Sequence, residues 1–286
     1  MSKIKQYLSL IKFSHTIFAL PFAVIGFLLA VKKEGSFDAR IFLYMVLCMV
    51  FARSAAMAFN RYIDKHIDAA NERTAIREIP SGAVKPTSAL VFVIINCLLF
   101  IATTYFINTI CFYLSPVALA VVLGYSFTKR FTALCHLILG VGLSLAPIGA
   151  YLAVTGAFNI LPLLFSFAVL FWVSGFDIIY ALQDEEFDRS KNLRSIPVAL
   201  GKQKALTLSS LLHLISAAFI VYAGVYANFG LWYWIGTTIF TGLLFYQHTL
   251  VKPNDLSKVN IAFFTTNGIA SVIFSTFVLI DLYVNK

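Results

Sequence analysis

The sequence predicts an all-α protein that crosses a lipid bilayer about nine times as a single domain over residues 1–286, and three observations carry that expectation. Hydrophobic residues make up 60% of the 286 and charged residues 12%, with mean hydropathy +0.85, far from the composition of soluble chains. Nine apolar segments are each long enough to cross about 30 Å of hydrocarbon. The basic residues gather in the connections on one side of those segments.

The segments run at about 13–31, 41–59, 88–107, 109–127, 133–155, 160–182, 204–226, 229–250 and 261–284. With the N-terminus inside, 17 of the 22 Lys and Arg fall on the inner side. Lys32, Lys33, Arg40 and Lys286 lie outside, and Arg53 lies within the second segment. This asymmetry predicts a cytoplasmic N-terminus in a cell (inner) membrane. The net charge of +9 therefore sets orientation; dispersed through short loops, it forms no basic domain or tail for nucleic acid. Cys48, Cys97, Cys111 and Cys135 sit in or at the ends of apolar segments without paired spacing, which reads as small core residues and not as a disulfide frame or metal cluster. The first segment follows a basic start but is too long for a signal-peptide core and lacks a small-residue cleavage site, so it is read as retained. Within it Pro21 is expected to kink the helix, and His15 lies near the inner end as an interface residue.

The second segment carries Arg53 and ends in a polar stretch, NRYIDKHIDAANERTAIREIPSG, from Asn60 to Gly82. A charge at the depth of Arg53 has to face a polar cavity and meet an anion, from the protein or from a substrate. Asn60, Asp64 and Asp68 recur every fourth residue, so a helix presents an amide and two carboxylates on one face. Hard oxygen ligands so spaced suit Mg²⁺, which takes one or two carboxylates, keeps waters and completes its shell with substrate phosphate. The plainer alternative is a solvated helix end laced with salt bridges among Arg61, Lys65, Arg73 and Arg77. In the following loop Pro80 and Gly82 form a turn, while Arg73 and Arg77 offer forked donors suited to phosphate oxygens.

The fourth segment ends in Tyr125-Ser126-Phe127-Thr128-Lys129, which places Tyr125 and Lys129 one turn apart and is equally compatible with an aromatic belt and a snorkelling base. The sixth repeats the pattern of the second: Asp177 within the apolar run, then Asp184 and Asp188 at spacings of seven and four, then Arg189, Lys191, Arg194 and Ser195. Matching acidic ends on the second and sixth segments suggest two diverged halves, about 13–130 and 133–250, plus a final helix. In the last three segments His248 and Asn267 are the notable polar residues, and helix packing accounts for both.

Taken together, RSAAMAFNRYIDKHID from Arg53, RTAIREIPSG from Arg73, Tyr125 with Lys129, and DIIYALQDEEFD from Asp177 with LRSIPVALG after it resemble the UbiA-type intramembrane aromatic prenyltransferases, closest to the 4-hydroxybenzoate polyprenyltransferase branch. The resemblance covers nearly the whole chain. It implies nine helices around a central cavity open to the cytoplasmic side, with two Mg²⁺ ions held by the two acidic motifs and bridged by an isoprenyl diphosphate. The chain departs from the ubiquinone-type members in its first segment: they usually carry Asp-Lys-Pro or Asp-Arg-Pro where this sequence has Lys12-Phe13-Ser14-His15-Thr16. In that it looks like a branch associated in some bacteria with prenylating a futalosine-derived aminobenzoate in menaquinone synthesis.

The chemistry of the residues agrees. An allylic diphosphate ionises when charge building on the leaving group is neutralised by metal ions and cationic side chains. The expected metal ligands are Asn60, Asp64, Asp68, Asp184 and Asp188, and the expected diphosphate-binding residues are Arg73, Arg77, Lys129 and Arg194. With 28 Phe and 13 Tyr the chain can surround an allylic cation with aromatic faces. The resemblance implies an aromatic acid as acceptor, and its carboxylate is the anion expected to meet Arg53, the alternative being an ion pair of Arg53 with Asp177 or Asp64. Asp177, Tyr125 and Lys129 are the candidate catalytic groups, and either Asp177 or the acceptor's own carboxylate receives the ring proton. The rival from another class is a secondary transporter with intramembrane carboxylates, whose ionisable groups belong near the midplane, whereas here most stand at inner helix ends.

Overall fold

A computed structural model describes residues 3–11 and 18–284. Twelve α-helices follow in order among them: α1 (Lys3–Leu10), α2 (Leu20–Glu34), α3 (Ala39–Ile63), α4 (Lys65–Ala70), α5 (Pro86–Tyr105), α6 (Thr109–Thr128), α7 (Cys135–Thr155), α8 (Ile160–Ala181), α9 (Glu185–Ser190), α10 (Ile196–Tyr226), α11 (Leu231–Leu250) and α12 (Asn267–Val284). A 3₁₀ turn at Leu182–Asp184 joins α8 to α9, and a π-helical turn at Ile261–Thr266 leads into α12. Seven of these stretches are long and apolar enough to cross a membrane: α3, α5, α6, α7, α8 with its extension to Ser190, α10, and Ile261–Val284. Helices α2 and α11 stand at the two remaining expected places. The first is 15 residues long, and Trp232, Tyr233, Trp234, Gln247 and His248 dilute the apolar character of the second. Pro21 lies in the first turn of α2, where its missing N–H interrupts no hydrogen bond, so it starts this helix and does not kink it. His15 and the Lys12-to-Thr16 stretch lie outside the described residues.

The described residues form two compact units, one within 3–11 and 39–127 and the other within 18–38 and 128–284. In the first, α3 packs along α5 over a core of Leu10, Ala55, Ala58, Ile79, Val84, Ala89 and Val93. Hydrocarbon gives apolar helices little reason to associate, so close backbone approach matters, and Ala55, Ala58 and Ala89 permit it. Val91, Ile94, Ile95 and Leu98 on α5 stay exposed, as a lipid-facing surface requires. Polar side chains in α5 are satisfied by their own helix: Asn96 donates to Phe92 O at 2.8 Å and Thr103 to Leu99 O at 2.7 Å.

In the second unit α8 lies between α7 and α10, α2 packs on α7, and α11 pairs with α12. Its core is aromatic, with Phe22, Phe165, Trp172, Tyr233, Phe240 and Phe274 buried in tilted and edge-to-face arrangements. Helix α2 reaches α7 closely enough that a Cβ on Gly26 would overlap the Pro147 carbonyl. A buried polar network crosses this core. Asn267 accepts from Trp172 Nε1 at 2.8 Å and donates to Gln247 Oε1 at 3.3 Å and to Phe263 O at 3.0 Å. His213 Nε2 faces the carbonyl of Trp172 at 3.2 Å and must donate to it, so with neutral rings its Nδ1 accepts from His248 Nε2 at 2.8 Å. Packing and satisfaction of polar groups thus account for both Asn267 and His248, as expected.

Candidate functional site

In the first unit the acidic face is built around a helix break. Helix α3 stops at Ile63, and Asp64 sits at φ −89°, ψ 4° before α4 begins. The hydrogen-bond ladder continues across the break, with Asp64 N–H donating to Asn60 O at 3.0 Å and Asp68 N–H to Asp64 O at 2.7 Å, so the four-residue spacing keeps its common face. Asp64 and Asp68 are 1% and 3% exposed. A merely solvated helix end does not bury its carboxylates in this way. The Asn60 amide donates through Nδ2 to Asp64 Oδ2 at 3.3 Å, which leaves its oxygen as an acceptor or ligand.

Asp68 is where the charges converge. Arg77 Nη1 donates to its Oδ1 at 2.6 Å, and Arg61 Nη1 stands 4.0 Å from its Oδ2. That Oδ2 is buried and has no hydrogen-bond partner among the described residues. The buried Nε atoms of Arg53 and Arg61 are in the same position. An unpartnered carboxylate oxygen on Asp68 with the unpartnered Nε of its neighbour Arg61, and a further one on Arg53 in the same helix, is a pattern that a cation and an anion together would satisfy. Carboxylate pairs with an amide oxygen are hard donors that fit Mg²⁺, and they need not enclose it, since waters and phosphate oxygens complete its shell. Among the described residues no three His, Cys, Asp or Glu side chains form a group that could hold a metal ion by themselves.

Around Asp68 the loop is tied down by its own turns. Thr74 Oγ1 donates to Asp68 O at 3.0 Å, Ser81 N–H to Arg77 O at 3.0 Å, and Gly82 turns at φ +77°. Arg77 is thereby held on the carboxylate while Arg73 lies exposed, its N–H bonded to Asn71 Oδ1 at 3.0 Å. Arg53 in α3 and Tyr125 in the last turn of α6 lie within electrostatic reach of each other.

The second unit repeats the device. Asp184 ends the 3₁₀ turn at φ −103°, ψ 3°, close to the angles of Asp64, and like Asp64 it precedes a six-residue helix with a second aspartate four residues on. Asp188 lies within electrostatic reach of Asp184, Lys129 and His136. Glu185 is on another face, bonded to Arg189 Nη2 at 2.6 Å and 4.0 Å from Lys202 Nζ. It belongs to a helix-end salt-bridge set. Arg194 is exposed and partly committed to structure: its N–H donates to Lys129 O at 2.7 Å and its Nη1 to Phe131 O at 2.8 Å. Those bonds stitch the segment carrying Lys129, which directly follows the end of α6, to the turn that leads into α10. Asp177, in α8, is bonded to His136 at 2.7 Å.

Two participants escape a reading of the sequence. Arg61 looks like an inner-loop charge, yet it is 5% exposed and directed at Asp68; its place on a helix next to Asn60 was the available signal. His136 lies 41 residues before Asp177, at the head of an apolar helix, and nothing in its neighbourhood marks it.

A model of the UbiA prenyltransferase family matches residues 19–269. Relatives named 4-hydroxybenzoate octaprenyltransferase from Nitrosomonas europaea and Nitrosospira multiformis are 30% and 31% identical, over 87% and 86% of this chain and 85% and 84% of theirs. Among solved structures, a UbiA homolog from Aeropyrum pernix K1 is similar at TM-score 0.84 and 31% identity, covering 93% of this chain and 98% of that one. A UbiA homolog from Archaeoglobus fulgidus bound to GPP and Mg²⁺ has TM-score 0.75 at 20% identity, over 98% and 100% of the two chains, a likeness of fold.

Proposed function

This chain belongs to the UbiA prenyltransferase family and is a multi-pass membrane enzyme, and on that premise we propose that it moves a polyprenyl group from an isoprenyl diphosphate to a ring carbon of 4-hydroxybenzoate or a related benzoate in respiratory quinone biosynthesis. The observation that carries the reading is the buried Asp64, Asp68 and Arg61 with the half-buried Arg53, among which one carboxylate oxygen and two guanidinium nitrogens have no hydrogen-bond partner among the described residues. A cationic metal and an anionic substrate satisfy both. The names of the curated relatives and the GPP and Mg²⁺ of the Archaeoglobus fulgidus protein support the same assignment.

In this reading Asn60, Asp64 and Asp68 hold one Mg²⁺ and Asp184 and Asp188 another. Mg²⁺ held there would supply positive charge to offset what develops on the diphosphate leaving group. Arg73, Arg77, Lys129 and Arg194 contribute donors to its oxygens, Arg77 being held in place by Asp68. Arg53 pairs with the acceptor carboxylate, and Tyr125 flanks that pair. The ring carbon bonds to the allylic carbon, and the ring proton passes to Asp177. Nine membrane crossings, a cytoplasmic N-terminus and a site open to the cytoplasmic side of the cell membrane belong to the same proposal, supported by the side on which Lys and Arg collect. The departure at Lys12 to Thr16 favours a second acceptor, a futalosine-derived aminobenzoate in menaquinone synthesis.

The test is turnover by purified protein with Mg²⁺ and radiolabelled isoprenyl diphosphate, each candidate benzoate being offered in turn. Label is expected in one prenylated acid and only with Mg²⁺ present. Absence of transfer to every benzoate overturns the assignment.

A further inference from the structure

We propose that His136 is a positioning residue: a neutral imidazole of fixed tautomer that holds the Asp177 carboxylate in the orientation from which it takes the ring proton of the aromatic acceptor. The inference rests on the prenyl-transfer reading above and deepens it. Both ring nitrogens of His136 are engaged. Ile196 N–H points at Nε2 at 3.3 Å, and Asp177 Oδ2 lies 2.7 Å from Nδ1. A backbone N–H can only donate, so Nε2 carries no proton, and the ring proton sits on Nδ1 and is donated to the carboxylate. A protonated Nε2 would set two donors against each other.

The pair is closed on one side and open on the other. The His136 side chain is 4% exposed and that of Asp177 is 23% exposed. His136 therefore has no access to a substrate and acts through Asp177, whose Oδ1 is left for the proton. Its setting is stiff, because three helices meet on one ring: His136 lies in the first turn of α7, Asp177 in α8, and Ile196 opens α10. The bond from Arg194 N–H to Lys129 O, at 2.7 Å, fastens the segments on either side. With Oδ2 pinned, the carboxylate cannot turn about its own axis.

The proton balance is simple. The allylic C–O bond breaks with its electron pair leaving on the diphosphate, the ring carbon bonds to the allylic carbon, and the C–H electrons restore the aromatic ring. The proton goes to Asp177 Oδ1, while the Nδ1 proton of His136 stays where it is.

Two substitutions separate this role from packing. In His136→Asn the amide nitrogen falls near the place of Nδ1 and keeps a donor on Asp177. In His136→Gln the amide reaches the place of Nε2, towards Ile196, and Asp177 loses its donor. Losing a hydrogen bond to a charged group slows a step that depends on it by about 10- to 100-fold. We expect His136→Asn to hold kcat within about threefold of wild type and His136→Gln to lose about 10- to 100-fold, with both KM values little changed. An acceptor deuterated at the reacting ring carbon should give His136→Gln a larger primary isotope effect on kcat than wild type shows, since proton removal becomes rate-limiting. Equal losses in the two variants, or a fall in kcat without a rise in the isotope effect, overturn the proposal in favour of packing alone. Should neither variant fold, ¹⁵N-histidine NMR of the wild-type protein decides: Nδ1 protonated and Nε2 bare supports the proposal, and a protonated Nε2, whether the ring is neutral or charged, overturns it. The two readings fail separately, because a wild-type protein that prenylates no benzoate removes the proposed reaction whatever tautomer His136 shows.

Discussion

Replacing Asp68 by Asn asks whether that carboxylate is a metal ligand or only the anchor of Arg77. The side chain is 4% exposed, its Oδ1 takes a 2.6 Å bond from Arg77, and Arg61 stands 4.0 Å from Oδ2. Removing one partner of a fully buried ion pair costs about 3–5 kcal/mol. Arg77, however, is 22% exposed and recovers water, and the Asn oxygen still accepts a neutral hydrogen bond. The expected loss in the metal-free protein is therefore about 2 kcal/mol, near that of one charge-assisted hydrogen bond. The metal adds a separate signature. A ligand present at 100 times its dissociation constant stabilises the folded state by about 2.7 kcal/mol. Wild-type protein in detergent should accordingly melt several degrees higher with Mg²⁺ and an unreactive diphosphate analogue than without, and Asp68→Asn should lose most of that increment. Its kcat should fall by about 100-fold or more, since charge on the leaving group is no longer neutralised. The assay is a pair of melting curves for each protein together with turnover. If Asp68→Asn melts lower but keeps the full ligand-induced increment and turns over within about fivefold of wild type, Asp68 serves Arg77 and the metal assignment is wrong.

Arg53→Lys keeps the charge but loses the forked grip, so it should raise the acceptor KM by about tenfold while leaving that of the isoprenyl diphosphate within about twofold; equal changes in both would show that Arg53 does not hold the acceptor. Asn267→Leu strips partners from Trp172 Nε1, Gln247 and the π-helical carbonyls, and at an average of about 0.6 kcal/mol for each hydrogen bond lost within a membrane the loss of these bonds should destabilise the protein by about 2 kcal/mol. A loss below about 0.5 kcal/mol, measured by reversible denaturation in bicelles, would mean that the network contributes nothing net. With the native thiols removed, a cysteine at Ala70 or Asn192 should react with an impermeant reagent only from the cytoplasmic face, and labelling from outside intact cells would refute the orientation.

What the sequence determined by itself is what repeats at fixed short intervals or accumulates over a long segment. Hydrocarbon forces helix on any long apolar run, so most of the helices were legible from composition alone, and α2 and α11 fell where apolar segments stood. The faces bearing Asn60, Asp64 and Asp68, and Asp184 and Asp188, were legible for the same kind of reason. Side chains four apart share a face whenever the backbone is helical, and the ladder across Asp64 preserves that spacing even where α3 breaks. The tertiary structure decided what depends on residues far apart in the chain. His136 meets Asp177 across 41 positions and Trp172 meets Asn267 across 95, because α8 packs between α7 and α10 and against the π-helical turn that leads into α12, and no local pattern encodes which residues of two packed helices face each other. Burial likewise belongs to the fold. Arg61 and Glu185 are both charged residues beside an acidic motif, but Arg61 is turned inward onto Asp68 while Glu185 is taken by Arg189 and Lys202. Both are buried, and what separates them is the partner each meets, which exists only once the helices are in place.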